Sequence, residues 1–212
     1  MLARLDADDP LDVEQAASLL AAGVVVAIPT DTVYGLAVDP MQPGAVGQIF
    51  ALKRRPSEVA LPVLVGGWSQ VEAVAGELEP AARQLADRFW PGPLTLVVPR
   101  ASDFGADLGG PPGASGTVGV RWPDHPVVRI LCAAIGPLAV TSANRHGQPP
   151  ATLAQEVISV FSTDDRLAAV VDAGVCDGVP STVVECRGED AWCLRKGGIP
   201  WNGAMKAPEA PG

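Results

Sequence analysis

The sequence predicts an α/β domain. Short apolar, β-branched runs recur along the chain, as in Val24–Ile28, Leu94–Val98 and Thr117–Arg121, and such runs read as buried strands. Longer segments of helical spacing lie between them, several with Pro in the first turn and Gly as the stop. The two signals interleave along the chain rather than segregating.

In order, Asp9-Pro10 opens a helix through Ala22, with Gly23 as its stop. A strand over 24–28 leads into the loop Pro29–Leu36. Pro43 to Leu52 reads as a helix delivering Lys53, Arg54, Arg55 and Pro56 at its end, and Leu61–Val65 as a short strand. Helices follow over Trp68–Ala75 and Pro80–Phe89, then the rigid turn Trp90-Pro91-Gly92-Pro93 and a strand over Leu94–Val98. Ala101–Gly116 is rich in Gly, Pro, Ser and Asp, which predicts a mobile loop. Beyond it come the strand Thr117–Arg121, a helix His125–Ile135 and a strand Leu138–Thr141. A helix Thr152–Phe161 has Thr152 as its N-cap and Gln155 three residues on. Strands over Ala168–Asp172, Ser181–Glu185 and Trp192–Arg195 complete the set. No repeat or linker interrupts the pattern. One domain is expected over residues 1–200, with 201–212 a flexible, Pro/Gly/Ala-rich tail.

Composition narrows the function. With 48% hydrophobic residues in 212, a sizeable core is available. A net charge of -9 argues against a general nucleic-acid coat protein, which needs a basic face, but leaves room for a local basic pocket. No run is long and apolar enough for a membrane span, and the Asp-rich start lacks a signal-peptide pattern, so a cytoplasmic location is expected. The four cysteines form no Cys-x-x-Cys pair and only two histidines are present, so buried structural cysteines are favoured over a metal site.

Three stretches carry candidate chemistry. Thr30-Asp31-Thr32 ends an apolar strand, where ligands bind in open α/β sheets; the same residues also make ordinary turns. Tyr34 could stack on a ligand or be a core aromatic with a bonded hydroxyl. Gly35 could permit a close approach or supply a positive φ. Lys53, Arg54 and Arg55 suit a polyphosphate or a plain helix end. Thr141, Ser142 and Asn144 offer hydroxyls and an amide with little bulk, and Ser181-Thr182 repeats that pattern. Arg121 closes a strand, where it could bind a carboxylate or pair with a surface Asp. His125 reads as a capping or surface residue, and His146 sits in the polar loop after Asn144. The phosphate-binding Gly-rich loop, the dinucleotide fingerprint and the nucleophile elbow are all missing.

Together these stretches resemble the YrdC family of L-threonylcarbamoyladenylate synthases, from about Val13 to Pro200. The resemblance rests on Pro29-Thr-Asp-Thr-Val-Tyr-Gly-Leu36, Lys53-x-Arg55-Pro56, Trp90-Pro-Gly-Pro-Leu-Thr-Leu-Val, Thr117-Val-Gly-Val-Arg121-Trp-Pro, Ser142-Ala-Asn144, Ser181-Thr182-Val-Val and Cys193-Leu-Arg195-Lys-Gly-Gly-Ile. It implies a twisted open mixed sheet with helices around a large concave cavity. It also implies synthesis of threonylcarbamoyl-AMP and pyrophosphate from L-threonine, bicarbonate or CO2, and ATP with Mg2+. The adenylate then serves tRNA-modifying threonylcarbamoyl transferase proteins. By the same resemblance Thr32, Thr117, Arg121, Thr141 and Ser181 surround threonine or the carbamate. Lys53, Arg55, Ser142, Asn144 and Arg195 surround the nucleotide, with Lys53 and Arg55 offsetting its charge. Three departures stand out: Ala60 where Pro is usual, Leu64 where many relatives carry His, and His146 for a common Ser. The chain resembles the single-domain form. An RNA-binding or ribosome-maturation role with some tRNA contact is the alternative. Carbamoyl transfer, as in the related domain of hydrogenase-maturation proteins, is a third reading.

Overall fold

The computed structural model describes residues 2–54, 59–111 and 116–201. The strands are β1 (Ala3–Asp6), β2 (Val25–Ile28), β3 (Gly35–Val38), β4 (Val63–Leu64), β5 (Leu94–Pro99), β6 (Thr117–Arg121), β7 (Leu138–Ser142), β8 (Leu167–Asp172), β9 (Thr182–Arg187) and β10 (Asp190–Arg195). The helices are α1 (Pro10–Ala21), α2 (Ala45–Lys53), α3 (Trp68–Ala75), α4 (Pro80–Phe89), α5 (Pro126–Ile135) and α6 (Ala154–Phe161). All strands join one open sheet of order β1-β8-β2-β3-β7-β4-β6-β5-β9-β10. Pairing is mixed: β1/β8, β2/β8, β4/β6 and β5/β9 are parallel, and the other neighbours antiparallel.

Local chemistry sets the element ends. Asp9 caps α1, its carboxylate accepting from the Leu11 N–H at 2.9 Å, and Pro10 supplies the first turn. Gly23 then takes the left-handed conformation, φ 76°, that stops the helix. At α6 the expectation needs correcting. The cap position is Leu153, not Thr152, and Glu156 rather than Gln155 is three residues on. The Glu156 carboxylate accepts from the N–H groups of Thr152 at 2.7 Å and Leu153 at 3.2 Å, reaching back over the start of the helix as the N3 half of a capping box does. The loop after β5 is also tied down where it is described. Arg100 Nε donates to the Phe104 carbonyl at 2.8 Å, the Leu61 N–H reaches the Leu108 carbonyl at 2.8 Å, and Ala106 and Leu108 are buried. Pro112–Ser115 lie outside the described residues, as does the tail from 202 onward.

Pleat alternation divides the core in two. One face packs under α2, α3, α4 and α6, whose buried stripes meet Leu36, Val63, Leu94, Leu96, Val120 and Ala139. The other lies under α1 and α5, against Leu5, Val26, Ile28, Ala37, Leu64, Leu138, Val140, Ala169 and Val171. Among the described residues that second layer draws nothing from β6, β5, β9 or β10. On those strands the same face carries polar groups instead. Since Leu94, Leu96, Val118 and Val120 join the first face, Thr95 and Arg121 turn to the second.

Gly35 is required by this packing. Its φ is not in the left-handed region, but a Cβ there would lie 2.5 Å from Val140 Cγ1. Gly35→Ala is expected to cost about 1–3 kcal/mol through overpacking, read as a lower urea midpoint. Val140→Ala in the same chain should recover part of it, and no recovery would count against a steric cause.

Candidate functional site

The loop joining β2 to β3 is built by Thr30. Its hydroxyl donates to the Val33 carbonyl at 2.7 Å and accepts from the N–H groups of Thr32 at 3.1 Å and Val33 at 3.2 Å. Thr30 is therefore the turn-maker, and Thr32 and Asp31 are the residues it presents. Tyr34 belongs to the core. Its hydroxyl donates to the Gly174 carbonyl at 2.9 Å and accepts from the Ala173 N–H at 3.2 Å, and burial pushes its pKa up to about 12.

Thr32 and Asp31 meet Arg121, although β3, β7 and β4 separate β2 from β6 in the sheet. A twist of about 20–25° per strand, accumulated over those steps, is what allows the loop to cross the open face. Arg121 Nη1 donates to Thr32 Oγ1 at 2.9 Å, Nε to the Gly92 carbonyl at 3.1 Å, and Nη2 to Asp31 Oδ1. The side chains of the Arg121–Asp31 pair are 7% and 13% exposed. Arg121 thus pairs with a half-buried Asp, not a surface one. Desolvation pulls its pKa down against the pull of Asp31, and the charge of Arg195 adds to the lowering. Leu64 faces Arg121 across the β4/β6 register and is buried in the α1/α5 layer.

A second polar cluster lies beside it. Ser181 Oγ and Thr95 Oγ1 are 2.8 Å apart, both buried. Arg195 Nη2 donates to the Ser181 carbonyl at 2.8 Å and to Ser181 Oγ at 3.1 Å, and Nε reaches the same carbonyl at 3.2 Å. The Gly178 N–H donates to the Thr32 carbonyl at 2.7 Å, which ties the approach to β9 to the β2–β3 loop. Two guanidinium groups therefore flank the hydroxyls of Thr32, Thr95 and Ser181. Three of the five Arg121 N–H donors are engaged, and the Arg195 bonds use Nε and Nη2, so each retains donors for an anion. Thr95 was not foreseen; its only sequence signal was a polar residue alternating with Leu94 and Leu96.

The third group is a clasp between the end of α2 and the end of β7. Lys53 is 3% exposed, and its Nζ donates to the Ser142 carbonyl at 2.5 Å, the Asn144 carbonyl at 2.7 Å and Asn144 Oδ1 at 3.1 Å. Ser142 Oγ donates to Asn144 Oδ1 at 2.5 Å, and Asn144 Nδ2 donates to the Gln148 carbonyl at 2.5 Å. The clasp closes from the other side through the His146 N–H on the Lys53 carbonyl at 3.1 Å and Arg145 Nη1 on the Leu52 carbonyl. His146 itself is exposed. Arg54 takes a left-handed φ of 52° just after Lys53; Arg55 and Pro56 lie outside the described residues.

The remaining expected residues sit apart from these bonds. Thr141 is half-buried, opposite Leu36 in the β3/β7 register. Thr117 is exposed at the far end of β6, about 13 Å along the strand from Arg121. Cys132 and Cys186 are buried thiols pushed up to about 12 by desolvation, which suits packing rather than chemistry.

His125 occupies the N-cap position of α5 without a side-chain capping bond. It is half-buried, and desolvation holds its pKa below 6.5 despite the nearby Asp31. A depressed imidazole means the unfolded chain takes the proton first. The stability it contributes is complete above pH 6.5 and shrinks as pH falls toward the folded value. The melting temperature should therefore drop from about pH 7 to about pH 5 more steeply for the native chain than for His125→Asn. Parallel pH profiles would assign the loss to the carboxylates instead.

Known proteins resemble this chain over most of its length. A family model described as "Telomere recombination", Sua5/YciO/YrdC, matches residues 18–197. A threonylcarbamoyl-AMP synthase of Bacillus subtilis is 41% identical over 199 residues, covering 92% of this chain and 56% of that protein. One from Xanthomonas euvesicatoria is 40% identical over 180 residues, covering 80% of this chain and 87% of that protein. The crystal structure of Pyrococcus abyssi Sua5 complexed with L-threonine superposes with a TM-score of 0.83 at 34% identity, covering 94% of this chain and 58% of that one. The chain thus spans little more than half the length of the Bacillus and Pyrococcus relatives.

Proposed function

The chain belongs to the Sua5/YciO/YrdC family, and from that premise we propose that it is an L-threonylcarbamoyladenylate synthase. It joins L-threonine, bicarbonate or CO2, and ATP into threonylcarbamoyl-AMP and pyrophosphate. The observation that carries this reading is the pair of guanidinium groups, Arg121 and Arg195, flanking the hydroxyls of Thr32, Thr95 and Ser181 on the uncovered half of the sheet. A small hydroxy amino acid has a carboxylate for the Arg121 guanidinium and a hydroxyl for the Thr and Ser oxygens, with Arg195 beside them for the nucleotide. The likeness to the threonine-bound Sua5 structure supports the same assignment.

The reaction asks for assembly more than for a strong base. The neutral threonine amine adds to CO2 and loses a proton to give a carbamate. A carbamate oxygen attacks the α-phosphorus of ATP, and pyrophosphate leaves. Arg121, Thr32, Thr141 and Ser181 take the threonine and carbamate side, with Thr117 too far along β6 to join them; Lys53, Arg55, Ser142, Asn144 and Arg195 take the nucleotide. Holding three reactants in one geometry and offsetting their negative charge supplies the rate. Mg2+ enters with ATP as part of the substrate. Among the described residues no helix is long and apolar enough to cross a membrane. The adenylate passes in the cytoplasm to threonylcarbamoyl transferase proteins acting on tRNA.

The test is mass spectrometry of the chain with ATP, Mg2+, bicarbonate and threonine. Threonylcarbamoyl-AMP is the expected product. A folded sample that binds ATP yet forms neither adenylate nor pyrophosphate would refute the reading. Substrate choice is a second check. Serine keeps the hydroxyl and should be weaker than threonine by about 1–3 kcal/mol, while valine should be worse, because a site built for a hydroxyl is left unpaired. Valine outperforming serine in steady-state rates would remove the roles given to Thr32 and Ser181.

A further inference from the structure

Three buried side-chain atoms have no hydrogen-bond partner among the described residues: Asp31 Oδ2, Trp122 Nε1 and His125 Nδ1. All three belong to the two loops that meet at Arg121. Asp31 lies between β2 and β3 and gives its other oxygen to Arg121 Nη2. Trp122 and His125 lie in the turn between Arg121 and α5. Unpaired buried polar atoms are rare and costly, and each calls for a cause. Their chemistry is complementary. A carboxylate oxygen only accepts, an indole N–H only donates, and an imidazole Nδ1 does either, by tautomer.

Two observations select the imidazole as the partner of Asp31. The Trp122 ring is held elsewhere, edge-on to Trp68 with centroids 6.0 Å apart. Of the charges around His125, Asp31 acts most strongly, ahead of Arg129 and Asp124. Those last two pair with each other at 3.1 Å on an exposed part of the surface. Arg121 meanwhile has a conflict built in. It must offer its two remaining N–H donors to a substrate carboxylate while Asp31, another anion, stands against the same guanidinium. A carboxylate arriving there repels Asp31 and loosens its hold.

We propose that His125 is a positioning residue for threonine binding, its Nδ1–H docking on Asp31 Oδ2 so that Asp31 stays in place and Arg121 keeps its fork turned to the substrate carboxylate. This rests on the synthase reading above. The imidazole stays neutral in the role, as its burial favours, and the tautomer required carries the proton on Nδ1.

The test is calorimetric threonine binding without ATP. An asparagine amide can stand in for Nδ1–H, whereas leucine cannot. His125→Leu should bind threonine about tenfold more weakly, the scale of one lost charge-assisted hydrogen bond, and His125→Asn should recover most of the loss. If His125→Leu does not fold, nitrogen-15 NMR of the native chain decides, with threonine expected to bring the imidazole to the Nδ1–H tautomer. Equal affinity in the native chain and His125→Leu, or a bare Nδ1 in the threonine-bound state, overturns the proposal. So does a loss in Trp122→Phe without one in His125→Leu, since the indole is then the donor. Failure of the native chain itself to bind threonine refutes the synthase reading, a separate result.

Discussion

Arg121→Ala is expected to abolish threonine-dependent pyrophosphate release and to lower stability by about 3–5 kcal/mol. The second figure follows from burial. Removing one partner of a buried ion pair strands the other charge, and both members here are largely shielded from water. Asp31 would lose the donor on Oδ1 when Oδ2 already lacks one. The Gly92 carbonyl and the Thr32 hydroxyl would lose theirs as well. Arg121→Lys keeps the charge but not the fork, so it should recover stability more than threonine affinity. Asp31→Asn combined with Arg121→Ala should be less destabilised than the two single losses added, because the stranded charge is gone. Urea unfolding of the native chain, the three single variants and the double variant measures the stability and steady-state kinetics the activity. A loss below about 1 kcal/mol in Arg121→Ala would mean that the pair behaves as an exposed one.

Much of this arrangement is legible before any coordinates. The strand Thr117–Arg121 and the helices Trp68–Ala75 and Pro80–Phe89 fall where periodicity puts them, because each has a strong local signal: β-branched residues in the strand, an apolar stripe in the helices, and a Pro start in the second of them. The strands β1 and β3 were not legible. β1 buries only Leu5 and exists through its parallel pairing with β8, a partner that no local pattern encodes. β3 begins at Gly35, and its turn-like Tyr-Gly start hides a run buried on both faces. At the site, residue types were readable and connections were not. Arg121 was visible as a strand-end cation, but a pairing with Asp31 across ninety positions depends on sheet twist. Lys53 likewise reads as a charge for phosphate, whereas in the fold its ammonium holds three oxygen atoms of the chain itself.

That last difference sets up the other large effect. If Lys53 served only as a phosphate contact, Lys53→Met would raise the ATP requirement and leave stability nearly unchanged. The clasp predicts otherwise. Methionine keeps the length and the apolar stem but leaves the Ser142 and Asn144 carbonyls and Asn144 Oδ1 without their shared donor. The Ser142 carbonyl keeps the Asn144 N–H and Asn144 Oδ1 keeps the Ser142 hydroxyl, so the Asn144 carbonyl is the acceptor left stranded, and a loss of about 1–3 kcal/mol is expected. Activity should fall further than stability explains, because the Ser142–Asn144 turn, proposed above to face the nucleotide, loses its anchor to α2. Lys53→Arg is the informative companion. A planar guanidinium keeps the charge but cannot aim three converging bonds as an ammonium does. It should therefore restore a general electrostatic effect on ATP while leaving the turn misplaced. Measuring ATP KM and the urea midpoint on both variants separates the two roles. Lys53→Met with native stability and a raised ATP KM would show that the three carbonyl-side bonds are incidental, and that the ammonium is free to leave them for the phosphates.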